Sequence, residues 1–230
     1  MKTNHLPFMM ILLIVAFLTA CGNGESGAPK KLRTNEYLGA LPAIAHHFRT
    51  VDSVIKEDEK AQYEKFGDKI TMEKAMEIAQ KTENKKRQNK QKWEDGIAKE
   101  KAALGGKDIP FEIKMPDYEI SHLKITDVFP YSVRTMGTMI IKEEMPAPKT
   151  VNFQKALNIY CVFLDINDKI INYSILSPIV GDYKKASALP GEKYDLDMHI
   201  AFGPDNIPKW ADFAKAVFIS EEEFNTIPDK

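Results

Sequence analysis

The chain of 230 residues contains two cysteines, Cys21 and Cys161, too few for the disulfide frameworks that hold small secreted domains together. Its folded part must therefore rely on packing. It also has little net charge: 32 basic and 33 acidic side chains give −1 at pH 7, which removes any general attraction to nucleic acid or to an anionic surface. The sequence lacks G-x-S-x-G, H-E-x-x-H, a phosphate-cradling glycine loop and C-x-x-C. The common signatures of serine hydrolases, zinc proteases, nucleotide-binding proteins and dithiol oxidoreductases are thus missing. Long apolar runs are missing too, with one exception at residues 6–20. That run amounts to roughly 22 Å of helix, short of the roughly 30 Å hydrocarbon core, so it is not read as a membrane span.

The exception has the build of an export signal. Lys2 supplies a positive start, residues 6–17 an apolar middle, and Leu18, Thr19 and Ala20 a region that ends in small residues directly before Cys21. Leu18-Thr19-Ala20-Cys21 resembles the lipobox of bacterial lipoproteins. That resemblance implies a signal peptide over residues 1–20, cleavage before Cys21 and acylation of its thiol and new amine. Acyl chains contribute about 0.8 kcal/mol per buried CH₂, enough for two or three of them to hold a chain at a membrane. Gly22 after the cysteine is similar to lipoproteins passed on to the outer membrane, with both the periplasmic and the surface face left open. Residues 21–36, "CGNGESGAPKKLRTNE", carry Gly, Ser, Asn and Pro without apolar periodicity and read as a flexible tether.

Composition changes near residue 105, which divides the remainder into a helical hairpin over 37–106 and a β-rich part over 107–221, followed by a tail over 222–230. In the first part Tyr37, Leu41, Ile44, Phe48, Val51 and Ile55 recur at steps of four and three, one face of a helix. Pro42 suits its first turn and Gly67 its end. Thr71 is placed to cap a second helix that stops at Gly105-Gly106. The second helix carries no apolar residue from Gln80 to Lys92, so that stretch is expected to be solvated. Antiparallel counting sets the acidic residues 52–59 against the basic residues 79–86, and Trp93 and Ile97 against Phe48 and Ile44.

The second part predicts about seven strands, over 110–114, 118–129, 133–142, 156–166, 169–176, 194–202 and 214–220, with turns at Asn167-Asp168 and Pro190-Gly191. "ALNIYCVFLDI" is apolar on both parities, as a central strand is, whereas "YDLDMHI" alternates with Leu196, Met198 and Ile200 inward. The expected class is α+β: an antiparallel helical hairpin followed by an antiparallel β-sandwich. Strand count and the spacing of "LPGEKYDL" make the second part resemble the immunoglobulin-like domains of bacterial envelope lipoproteins, although the Cys, Trp, Cys signature of immunoglobulin domains is missing.

Few residues suggest chemistry. Asp195, Asp197 and His199 alternate along one strand face and are the candidate metal or acid-base group. Neighbours on such a face are nearly 7 Å apart, so an ordinary solvated face competes with that reading. Lys85, Lys86, Arg87 and Lys90 form a candidate basic patch for a partner, against which stands a solvated helix face paired with its neighbour. Trp210 is a candidate stacking residue, or else closes an end of the sandwich together with Phe213. Cys161, mid-strand, reads as buried packing rather than as a nucleophile. "DINDKI" at Asp165 has Lys169 and Ile170 where a calcium loop needs a ligand and a glycine, and reads as a hairpin turn. These readings lead to a non-enzymatic envelope lipoprotein without cofactor. It is held to the membrane through Cys21 and binds a protein or glycan but not nucleic acid. The alternative is a metal-dependent hydrolase using Asp195, Asp197 and His199.

Overall fold

The structure is a computed structural model, and it describes residues 32–203 and 205–228. The signal segment, Cys21 and most of the tether expected above lie outside the described residues. Among those described, no helix is long and apolar enough to cross a membrane.

Helix α1 (Leu41–Phe66) starts with a proline in its first turn and stops at Gly67, whose φ of 49° is a left-handed conformation suited to glycine. A 3₁₀ turn, Gly67–Lys69, reverses the chain. Thr71 then caps α2 (Met72–Leu104), its hydroxyl accepting from the Lys74 amide at 3.2 Å. The two helices form the expected antiparallel hairpin. Phe48 and Trp93 stack with centroids 4.3 Å apart and planes 14° apart, the pairing that antiparallel counting predicts. α1 has no side-chain cap of its own. Glu100 of α2 takes that place, accepting from the Ala40 amide at 3.1 Å, where a carboxylate also favours the positive end of the helix.

One expectation for α2 is corrected. The stretch from Gln80 to Lys92 is not wholly solvated: Thr82 and Asn89 are buried against α1. Asn89 Nδ2 donates to the Phe48 carbonyl at 3.2 Å. A seam can be filled by small polar residues when their hydrogen bonds are met within it, and apolar periodicity alone misses this.

Among the described residues twelve strands follow. β1 (Phe111–Ile113), β2 (Tyr118–Phe129), β3 (Ser132–Ile141), β7 (Ile159–Asp165), β8 (Ile170–Leu176), β11 (Lys193–Ala201) and β12 (Phe213–Ile219) match the seven expected, with ends moved by a few residues. Five short ones are added: β4 (Met145–Pro146), β5 (Lys149–Val151), β6 (Gln154–Ala156), β9 (Ile179–Asp182) and β10 (Ser187–Ala188). The count of about seven is therefore too low. Segments of two to four residues are too short to show a period of two.

The strands divide among four sheets, ordered β1-β12-β7-β8, β11-β3-β2, β5-β6-β9 and β10-β4. Pairing is antiparallel except for β1 beside β12. The β2–β3 register shifts between Ile120 and Leu123. There Gly137 admits the His122 carbonyl where a Cβ would stand 2.3 Å from its oxygen.

The inward faces of the sheets β1-β12-β7-β8 and β11-β3-β2 join one core, which includes Leu123, Met139, Cys161, Phe163, Leu196, Met198 and Phe218. The base of the hairpin belongs to it as well, through Leu38, Leu41, Ala45 and Leu104. Asn35 ties this base to the four-stranded sheet. Its Nδ2 donates to the carbonyls of Ala211 and Phe213 at 3.2 and 2.8 Å, while its Oδ1 accepts from the amides of Tyr37 and Leu38, each at 2.9 Å. A second, smaller cluster lies on the outward face of the four-stranded sheet. Here Phe224 of the short helix α3 (Glu221–Asn225) packs with Tyr160, Val162, Val217 and Ile219.

Candidate functional site

β11 turns Leu196, Met198 and Ile200 into the core and Asp195, Asp197 and His199 outward, as alternation requires. The three do not converge on a common point. Arg134 lies opposite His199 on β3 and reaches diagonally to Asp197. Its Nε and Nη2 donate to Oδ1 and Oδ2 at 2.9 and 2.5 Å. This bidentate guanidinium holds the Asp197 carboxyl below the usual carboxylate range and occupies both oxygens that a cation would need. His199 lies over Phe129, with centroids 6.0 Å apart, and its Nε2 is 4.0 Å from Asp197 Oδ1. Among the described residues no group of three His, Cys, Asp or Glu side chains is arranged to hold a metal ion.

The basic run on α2 is answered by acids. Lys85 pairs with Asp58 at 2.5 Å, Lys86 with Glu59 at 3.4 Å and with Glu83 at 3.5 Å, and Lys90 with Glu94 at 3.6 Å, while Arg87 donates to Asn84 at 3.0 Å. Such half-exposed pairs contribute little to stability and chiefly fix register. Lys85 in turn holds the Asp58 carboxyl low.

Trp210 is not available for stacking on a partner, which corrects its candidacy. It is fully buried in the 3₁₀ turn Ile207–Asp212, its rings 5.3–5.8 Å from those of Phe202, Phe163 and Phe213. Its Nε1 donates to Asn206 Oδ1 at 3.1 Å. It closes one end of the core, as the competing reading has it. Cys161 is buried, and burial pushes its thiol well up from the ordinary range, the reverse of what a nucleophile needs. At "DINDKI", Asp165 Oδ1 accepts from the amides of Asn167 and Lys169 at 2.8 and 2.9 Å, a side-chain turn between β7 and β8. Cys21 lies outside the described residues.

The surface that sequence reasoning missed is the outward face of the four-stranded sheet. α3 covers only part of it. Beside α3 runs a groove of about 480 Å³, with Val162, Leu164, Val217, Ile219 and Ile227 among its lining and Ile170 at its edge, 42% exposed. Its charged rim is internally paired: Lys114 with Glu223 at 2.7 Å, and Lys215 with Glu112 at 2.9 Å and with Asp168 at 3.5 Å. Lys215 holds the Glu112 carboxyl low. The floor of the groove is thus apolar and its rim is made of paired charges. The available signal was the two-parity apolar run of β7, which implies a cover on both of its faces. Comparison with protein-family models, with curated proteins and with solved structures finds no match to this chain.

Proposed function

We propose that the chain is a non-enzymatic lipoprotein of the bacterial cell envelope, anchored in the outer membrane through acyl chains on Cys21. Its immunoglobulin-like sandwich presents the groove beside α3 to an apolar segment of a partner protein. The groove is the observation that carries the binding part of this reading: its floor is apolar, it is only partly covered, and its rim charges are already paired with one another. Support for the anchor is the run Leu18-Thr19-Ala20-Cys21 at the end of an apolar stretch.

Support for the sandwich comes from connectivity. In an immunoglobulin-like fold strands A, B and E share one sheet, with C and F in the other. Taking β2, β3, β7, β11 and β12 as A, B, C, E and F reproduces the neighbours β2-β3-β11 and β7-β12. β1 then lies parallel in the place of the last strand, and the five short strands fill the connections.

The test has two arms. Cys21→Ser should abolish acyl labelling and release the chain from the membrane fraction; retained labelling would overturn the anchor. A photo-crosslinking side chain at Ile170, in native membranes, should join one protein partner whose yield falls with Val217→Asp in a chain that still folds. Crosslinking that is diffuse and indifferent to the groove would overturn the binding reading.

A further inference from the structure

Phe153 is the most exposed large apolar side chain among the described residues, at 88%. It sits in the two-residue turn that joins β5 to β6, where Asn152 and Phe153 have φ of 48° and 64°. Turns of this kind favour Asn first and Gly second, because a side chain in the second place crowds the backbone. Phe153 thus takes a position that suits glycine and gains no burial in return. Gln154 pairs with Asp182, so the next residue on the facing strand, Tyr183, lies at the same end, and it is 64% exposed.

Lysines flank the two rings. Lys184 Nζ is 5.6 Å from the Tyr183 ring centre, and Lys155 follows the Phe153 turn on β6, paired with Gly181. Among the described residues neither Lys155 nor Lys184 has a carboxylate in ion-pair reach. Of the acids nearby, Asp182 accepts from the Lys184 amide, Glu144 from the Ser187 hydroxyl, and Glu192 from Lys185 and Tyr194.

The geometry points to this end as a contact site for an anionic lipid surface, with Phe153 and Tyr183 entering the interface and the free lysines meeting the headgroups. The two rings stand on two separate turns. An apolar ring, an amphipathic ring and unpaired ammonium groups are the combination that a headgroup boundary accepts. The chain is nearly neutral as a whole, so this attraction is local.

Reach permits it on the anchor reading, on which this part rests. The described chain begins beside Asp212 through Arg33, at the Asp165 end of β7, whereas the aromatic turns lie beyond its Ile159 end. The eleven residues from Cys21 to Leu32 span at most about 40 Å when fully extended.

The experiment uses the chain from Leu32 onward, which holds the whole core and no anchor, so its outcome does not depend on acylation of Cys21. Sedimentation with vesicles of phosphatidylcholine plus phosphatidylglycerol should capture it at low salt and release it at high salt, whereas phosphatidylcholine alone should not capture it. Phe153→Gly should lower capture roughly fivefold or more while leaving the melting temperature equal or higher, since glycine suits φ of 64°. Lys155→Glu with Lys184→Glu should lower capture and flatten its salt dependence. Absence of capture, equal capture by Phe153→Gly, or Phe153-dependent retention of a protein instead of vesicles would each overturn the proposal.

Discussion

Gly137 shows how much one side chain can decide. The bulge at Ser121 and His122 lays a backbone carbonyl over it, and a Cβ would meet that oxygen at 2.3 Å and Ile120 Cγ2 at 3.5 Å. A flexible side chain could swing aside, but a carbonyl in a sheet of β2 and β3 cannot. Gly137→Ala should cost about 1–3 kcal/mol, read as a lower urea midpoint at unchanged slope; an unchanged midpoint would mean that the bulge relaxes freely. The aromatic residues carry the same lesson for sequence reading. Trp210 and Phe153 both stand in turn-rich stretches, yet one is fully buried and the other 88% exposed. Neither periodicity nor composition separates them, because burial there depends on which distant strand ends meet the turn. Arg134 was likewise absent from sequence reasoning about Asp197, since their contact arises only from the cross-strand register of β3 and β11.

Elements with a repeating face were legible. Both helices, with their starts and stops, and the seven expected strands follow from spacing, Pro42, Gly67, Thr71 and Gly105. What was not legible depends on tertiary closure: the five short strands, the clamp at Asn35, and the four-way contact at Glu192. That contact pins the loop between β9 and β11. Glu192 accepts from the Leu189 amide at 2.8 Å, from Lys185 Nζ at 2.7 Å and from the Tyr194 hydroxyl, and these donors hold its carboxyl down at about 2. A carboxyl whose pKa is lower in the folded chain stabilises it above the unfolded pKa of about 4.3, and that contribution is lost as pH falls towards 2. Melting temperature should therefore fall between pH 5 and 2.5 by less in Glu192→Gln than in the parent chain. Equal falls would show that the contact does not stabilise the fold.

At the scale of the molecule, the hairpin is two things at once. Its base is core: Leu41 and Leu104 are buried with the strands, Asn35 and Glu100 bond its start, and Lys101 reaches Asp127 at 2.6 Å. Trp93 is the last strong link outward, 5.7 Å from Tyr131 in the turn between β2 and β3. Beyond it, the ion pairs of residues 56–86 join helix to helix or run along one helix. From Trp93 to Met72 is roughly 30 Å of α2, a stalk stabilised by two helices alone. Local opening should therefore start there, with amide exchange faster than in the strands. Two deletions separate base from stalk. Removing residues 57–88 and closing the gap with a short turn should leave the strands folded, with a single cooperative transition. Removing residues 36–106 takes Leu38, Leu41, Ala45 and Leu104 out of the core they share with the strands and should abolish it, because a gap of that size in a packed core is not refilled. Should the shorter deletion also unfold the strands, the stalk contributes to the core from beyond Trp93; should the longer one fold, the strands form a domain without their helices.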